Sequence, residues 1–129
     1  MIGSDVEEGD ALGRNVAVNG TFSVPGWWNC GAGWSIGGGT LNAVAVLGGS
    51  NTNQPAILMI GRRFRTTFTI LNYVNGTVYI RCGNSAGIAR SANGTYTEDI
   101  LCLTTNNLFF WCVVGGTFGI DNVSVREIY

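Results

Sequence analysis

Apolar and polar side chains alternate along Arg62–Cys82, first from Phe64 to Ile70 and again from Thr77 onward. A period of two is typical of a β-strand with one buried face. Between the two runs lies Tyr73–Gly76, which ends in an Asn-Gly pair that tolerates the positive φ of a tight turn. The pattern therefore predicts a central β-hairpin whose apolar face other strands must cover.

Short apolar runs separated by turn residues continue through the rest of the chain. Gly48–Gln54 is polar and predicts a loop, whereas Pro55–Ile60 is continuously apolar and predicts a strand buried on both faces. The other main predicted strands are Asn15–Phe22, Thr40–Leu47, Thr95–Leu103, Leu108–Val114 and Phe118–Glu127. Strands at this spacing, with no sustained helical period, predict an all-β fold, an antiparallel β-sandwich of jelly-roll type.

Composition predicts a short arm followed by one domain. The 129 residues can form one core, and a hydrophobic content of 46% with 12% charged residues excludes a disordered chain. Residues 1–14 show no strand period and carry four of the eight acidic residues. We therefore expect a flexible acidic arm at 1–14, which could order on a partner, and a jelly-roll sandwich at 15–129.

Charge and hydropathy exclude several functions. A net charge of −1 leaves no electrostatic footprint for nucleic acid. No apolar run approaches the roughly 20 residues that a membrane helix needs. The start of the chain is acidic and polar, unlike a signal peptide, so we expect a protein made in a cytoplasm.

Four cysteines are spread along the chain at positions that allow three disulfide pairings. They are Cys30, Cys82, Cys102 and Cys112. The chain has no histidine and no Cys-x-x-Cys motif, so a zinc site is not expected. Three of the cysteines lie within strand patterns, which favours buried thiols over disulfides.

Catalysis has few candidate groups. Without histidine or lysine, neither a Ser-His-Asp triad nor a lysine nucleophile can form. Glu98 and Asp99 are adjacent on a predicted strand and point to opposite faces, so they cannot flank one glycosidic bond. We interpret both as charges on the strand surface and Glu127 as exposed, and we expect no enzymatic activity.

Aromatic side chains are the remaining candidates for a binding site, because sugar rings stack on exposed aromatic rings while arginine hydrogen-bonds their hydroxyls. The candidate glycan- or partner-binding residues are Trp28, Tyr79, Arg81 and Trp111. Two alternatives remain open. The tryptophans could pack in the core, with Trp27, Trp34 and either Phe110 or Trp111 closing the ends of the sandwich. Exposed aromatics could also form a protein–protein interface.

Motifs at both ends of the chain carry a resemblance to a known family. They are Asn19-Gly20-Thr21-Phe22, Gly26-Trp27, Gly33–Gly39 and Ile120–Glu127. Together they resemble a carbohydrate-binding-module-like jelly roll of tailed-bacteriophage virion proteins, of the head-decoration and tail-fibre type. The resemblance covers nearly all of the chain.

The resemblance implies a non-enzymatic structural accessory protein of a tailed-phage virion. Capsid decoration is favoured over a tail fibre, because a fibre usually carries such a module within a longer chain. The implied partners are other virion proteins of the capsid or tail, host-surface glycans and further copies of the chain. The implied location is the virion, after synthesis in the host cytoplasm. The alternative is a carbohydrate-binding or adhesion module that serves host attachment.

Related modules often hold a structural Ca²⁺ between an acidic residue after the first motif and an aspartate in the last strand. Asp121 matches the second position, but Ser23 stands where the acidic residue is expected. Calcium needs several oxygen ligands. We therefore expect no cofactor and no metal, and Asp121 would be a ligand only if Ca²⁺ were bound.

Overall fold

The computed structural model describes residues 11–129, which form nine β-strands and no helix. The strands are β1 (Leu12–Asn15), β2 (Asn29–Cys30), β3 (Trp34–Gly37), β4 (Thr40–Val46), β5 (Asn51–Gln54), β6 (Arg63–Cys82), β7 (Ser85–Ala86), β8 (Gly94–Leu101) and β9 (Leu108–Ile128). All their pairings are antiparallel. No membrane-crossing helix is found among these residues.

Two long strands, β6 and β9, organise the fold. They pair along almost their whole lengths, from Phe64 opposite Glu127 to Cys82 opposite Leu108, with register shifts near the middle. The first half of β6 and the second half of β9 form one layer with β1, β3, β4 and β8. The other halves form a second layer with β2, β5 and β7.

Aromatic side chains join the two layers in the core. Phe68 of the first layer lies with its ring centroid 5.3 Å from that of Phe110 in the second layer. Trp28 also contacts Phe110, with the ring centroids 5.8 Å apart, and Trp34 packs edge-on against Phe118. The prediction of an all-β antiparallel sandwich of jelly-roll type is confirmed.

The predicted hairpin is wrong, because Tyr73–Gly76 lies inside β6 and not at a turn. Gly76 does take a positive φ of 100°. A Cβ there would lie 2.8 Å from the Cα of Gly116, and a Cβ on Gly116 would lie 2.1 Å from the Asn75 carbonyl oxygen. The Asn-Gly pair therefore forms part of a β-bulge at which β6 and β9 approach closely. Because β9 pairs with β6 on both sides of this bulge, the strands predicted at 108–114 and 118–127 are one strand, β9.

The polar stretch Gly48–Gln54 and the apolar stretch Pro55–Ile60 have exchanged their predicted roles. The first contains β5, which pairs with β9, and the second contains no strand. Gln54 points inward, and both polar groups of its side chain are satisfied there. Its oxygen accepts a hydrogen bond from the backbone N–H of Val18, and its amide nitrogen donates to the Val18 carbonyl. A buried amide satisfied in this way is not visible in a pattern of polar and apolar residues.

Near the start of the described residues, β1 begins at Leu12 and pairs with the end of β9. The last residues of the predicted arm thus lie in the sheet. The acidic cluster in the first ten positions lies outside the described residues.

All four cysteines are free thiols, and Cys82, Cys102 and Cys112 are buried, as predicted. Burial raises the pKa of the Cys82 thiol to about 12, with smaller contributions from Cys102 and Glu98. The buried thiols therefore stay protonated at neutral pH and act as small apolar side chains.

Candidate functional site

The outward surface of the second layer carries three aromatic rings and one arginine. Tyr79 on β6 lies opposite Trp111 on β9, and Arg81 lies opposite Phe109. Each is partly exposed, because alternate residues of a strand face opposite sides and their neighbours point into the core. We call Tyr79, Arg81, Phe109 and Trp111 the aromatic face.

The guanidinium group of Arg81 is fixed in place on this face. Its Cζ atom lies 4.5 Å from the ring centroid of Trp111 and 5.6 Å from that of Phe109. Its Nε donates a hydrogen bond of 2.9 Å to the Gly83 carbonyl, and Nη2 donates one of 2.8 Å to Asn84 Oδ1. Arg81 is thus oriented before any ligand arrives, which lowers the entropic cost of binding.

Three asparagine side chains continue the aromatic face across β5 and β2. Asn29 Nδ2 donates to Asn53 Oδ1 at 3.3 Å, and Asn53 Nδ2 donates to Asn51 Oδ1 at 3.2 Å. Asn51 lies opposite Trp111, and Asn53 lies opposite Phe109. We call Asn29, Asn51 and Asn53 the asparagine ladder. Its amides offer both donors and acceptors beside the aromatic rings.

A cleft of about 670 Å³ adjoins the asparagine ladder. Its walls also include Cys30–Gly33, Ala45, Leu47 and Ser50. Ser50 fixes one wall, since its hydroxyl donates to the Ala32 carbonyl at 2.8 Å and accepts from Trp34 Nε1 at 3.1 Å. Partial burial raises the pKa of the Cys30 thiol, which disfavours the nucleophilic thiolate at neutral pH.

The structure brings together three of the four predicted binding residues: Tyr79, Arg81 and Trp111. Trp28 is a correction, because it is only 7% exposed and packs between Phe22 and Phe110 in the core. Its indole N–H donates to the Asn19 carbonyl, so the polar end of the ring is satisfied inside.

Sequence reasoning missed Phe109 and the asparagine ladder. Phe109 lies two residues before Trp111, so the period of two could have placed it on the same face. The ladder had no such signal, because Asn51 and Asn53 lie within Gly48–Gln54, which was interpreted as a loop. Trp27 also differs from the core alternative, since it is 67% exposed, whereas Trp34 is buried.

The acidic residues lie elsewhere, and the prediction that Glu98 and Asp99 are surface charges is wrong. Asp99 forms ion pairs with Arg65 at 2.9 Å and Arg63 at 3.4 Å, and its side chain is 3% exposed. Glu98 is also buried, with Arg90 at 3.4 Å. Buried carboxylates need such partners, and these come from β6 and from the segment before β8.

Within residues 11–129, no group of three or more histidine, cysteine, aspartate or glutamate side chains could hold a metal ion. Asp121 Oδ1 accepts a hydrogen bond of 2.8 Å from the backbone N–H of Asn122. Calcium needs several oxygen ligands, and no such group of carboxylates accompanies Asp121 among these residues.

The sequence matches no protein-family model and no curated protein. Solved structures are similar in fold. A CBM4 module matches with a TM-score of 0.57 and 15% identity, over 86% of this chain and 99% of that chain. The CBM22-1 xylan-binding domain of Paenibacillus barcinonensis Xyn10C matches with a TM-score of 0.58 and 7% identity, over 95% and 98%.

A variant of the family 29 carbohydrate-binding module CBM29-2 matches with a TM-score of 0.57 and 18% identity, over 95% of this chain and 87% of that chain. At these identities the similarity shows the fold. The chain therefore has a jelly-roll sandwich like that of carbohydrate-binding modules.

Proposed function

We propose that this chain is a non-enzymatic glycan-binding module whose aromatic face contacts sugar rings. The observation that carries the proposal is the position of Tyr79, Phe109 and Trp111 side by side on one outward surface, with Arg81 fixed beside them. An apolar surface with a few oriented polar groups is typical of small-molecule sites.

The chemistry of the surface suits a carbohydrate. The C–H faces of a sugar ring pack on aromatic rings, which offer a large contact area at a low entropic cost. Arg81 and the asparagine ladder supply hydrogen-bond donors, and the ladder also supplies carbonyl acceptors for sugar hydroxyls. A plain apolar ligand would leave these donors and acceptors of the protein without partners, which is costly. This mixture of groups therefore favours polyhydroxylated ligands.

The similar solved structures support this proposal without carrying it. One of them is described as xylan-binding, and the CBM29-2 module is described as recognising a ligand. One sandwich fold can host many functions, so the weight rests on the chemistry of the aromatic face.

Absence of catalysis is part of the proposal. No carboxylate of the described chain belongs to the aromatic face or lines the adjoining cleft. Glu98 and Asp99 are held in ion pairs with arginines, and Glu127 pairs with Arg62 at 2.9 Å. Glycoside cleavage needs two carboxyl groups that flank the scissile bond, and this surface offers none.

The test is binding of the unaltered chain to a panel of polysaccharides, including xylan, by affinity electrophoresis and calorimetry. We expect at least one polysaccharide to bind and Tyr79→Ala to weaken it about tenfold or more, because a stacking ring is lost. Tyr129→Ala is the matched control, since Tyr129 is exposed at the end of the first layer. Equal binding by both variants would remove Tyr79 from the site.

The virion role remains a prediction of the sequence resemblance. It includes capsid or tail proteins as partners, assembly of several copies, and location in the particle. The chain should then appear in mass spectra of purified phage particles, and its absence from them would contradict the role. Glycan binding by the aromatic face is compatible with either decoration or host attachment.

A further inference from the structure

Trp27 combines an exposed side chain with an unusual backbone conformation. Its side chain is 67% exposed, and its backbone has a φ of 73°. A bulky residue in the left-handed region is a genuine outlier, because its Cβ crowds the carbonyl group. Such strain persists only where the surroundings enforce it, and it is concentrated at functional positions.

The surroundings that enforce the strain are centred on Asn19. Its side-chain Nδ2 donates to the carbonyls of Val24 at 2.7 Å and Gly26 at 2.9 Å. Its own carbonyl accepts from the backbone N–H of Phe22 at 3.1 Å and from Trp28 Nε1 at 3.2 Å. The turn is therefore tied down on both sides of Trp27, and the exposed indole stands on a rigid support.

The position of Trp27 relates it to the proposed glycan site. Asn29, two residues further on, is the outermost rung of the asparagine ladder, opposite Asn53. Two residues span at most about 7 Å, so the backbone of Trp27 lies within that distance of Asn29, beside β2 at the edge of the second layer. A recess of about 140 Å³ between Pro25, Trp28 and Ile36 lies beside it and shares Cys30 with the larger cleft.

The distance across the surface sets the size of a ligand that could reach both ends. From Arg81 the row passes through Phe109 and Asn53 to Asn29. This path crosses three strand spacings, or about 14 Å at roughly 4.8 Å each. A ligand that covers the aromatic face from Arg81 onward and also reaches Trp27 must be longer than this, which excludes a single sugar.

We propose that Trp27 forms a separate aromatic subsite that holds the far end of an extended oligosaccharide lying across the aromatic face. The proposal rests on the proposed function and adds a ligand class, glycan chains long enough to span the second layer. The subsite explains why a large apolar ring is kept exposed on a strained, rigid turn. The strain lowers the stability of the free chain, and the contact of Trp27 with the glycan offsets this cost in the bound state.

The test uses Trp27→Gly, because glycine adopts the positive φ without strain. The probes are the trimers and hexamers of β-linked xylose, glucose and mannose, measured by calorimetry. We expect Tm to stay equal or to rise, the hexamer affinity to fall about tenfold, and the trimer affinity to stay unchanged. Trp27→Phe keeps an aromatic ring and should retain most of the hexamer affinity.

Three outcomes would overturn the subsite. Unchanged hexamer affinity in Trp27→Gly, with both lengths weakened by Tyr79→Ala, would refute it while leaving the proposed function intact. Equal loss for trimer and hexamer would show that Trp27 acts on the whole face and not as a separate subsite. Failure of the unaltered chain to bind any of the probes or polysaccharides would refute both proposals together.

Discussion

Glu98→Ala is expected to lower the free energy of unfolding by about 3–5 kcal/mol, the range found when one partner of a buried ion pair is removed. Glu98 is 6% exposed, and Arg90 would keep its charge in a partly buried position without the carboxylate. Arg90 Nε already has no hydrogen-bond partner within the described part of the chain. The stacking of Arg90 on the Tyr96 ring, at 4.4 Å, would not replace the lost partner.

The second reason for a large effect is the bulge that Glu98 supports. Beside β6, Ala86 pairs with Arg81 and Arg90 pairs with Val78, so three steps along β6 face four steps along its neighbour. The extra residue leaves a backbone N–H out of the ladder. Glu98 Oε1 accepts the hydrogen bond of the Ile88 N–H at 2.8 Å. Its loss would leave that donor unsatisfied as well.

Urea denaturation of three variants would measure the effect. Glu98→Gln keeps a carbonyl oxygen for the Ile88 N–H but loses the charge, so its loss should be smaller than that of Glu98→Ala. Glu127→Ala removes an ion pair with Arg62, whose side chain is 53% exposed, and should cost less than about 1 kcal/mol. A loss for Glu98→Ala no larger than for Glu127→Ala would contradict this account.

The predicted strand faces around residues 64–82 agree with the structure, because period-two alternation depends only on local geometry. It placed Tyr79 and Arg81 on the surface opposite Val78 and Ile80, where they are. The prediction of a turn at Asn75-Gly76 was wrong, because the structure there depends on contacts with residues distant in sequence. A positive φ suits either a turn or a bulge, and the pairing with β9, distant in sequence, decides between them.

Burial was the least predictable property of the individual candidates. Trp27 and Trp28 are adjacent and chemically identical, yet one is exposed and the other is in the core. Hydrogen bonds of Asn19 hold the turn that precedes them, and no pattern of apolar residues reports these bonds. Glu98 and Asp99 form ion pairs with different arginines, as the alternation of a strand requires. Those arginines come from other segments of the chain, so the strand pattern does not reveal them.

Trp111→Ala should have the largest effect on glycan binding, a loss of about 30-fold or more. Truncating a central aromatic residue of a binding surface commonly costs about 2 kcal/mol or more, which corresponds to that factor. Trp111 lies between Tyr79 and Asn51 in its row, so its ring is central on the proposed site. It also supports the Arg81 guanidinium at 4.5 Å, and that support would be lost with it.

Trp111→Phe separates the stacking surface from the identity of the ring, since a phenyl group retains part of the contact with both sugar and Arg81. We expect its affinity to lie between those of the unaltered chain and Trp111→Ala. Because Trp111 is only partly buried, all three proteins should unfold cooperatively in urea, and binding is compared under conditions where each is folded. If Trp111→Ala binds polysaccharide as tightly as the unaltered chain, the aromatic face is not the glycan site, and its exposed rings then fit a protein interface better.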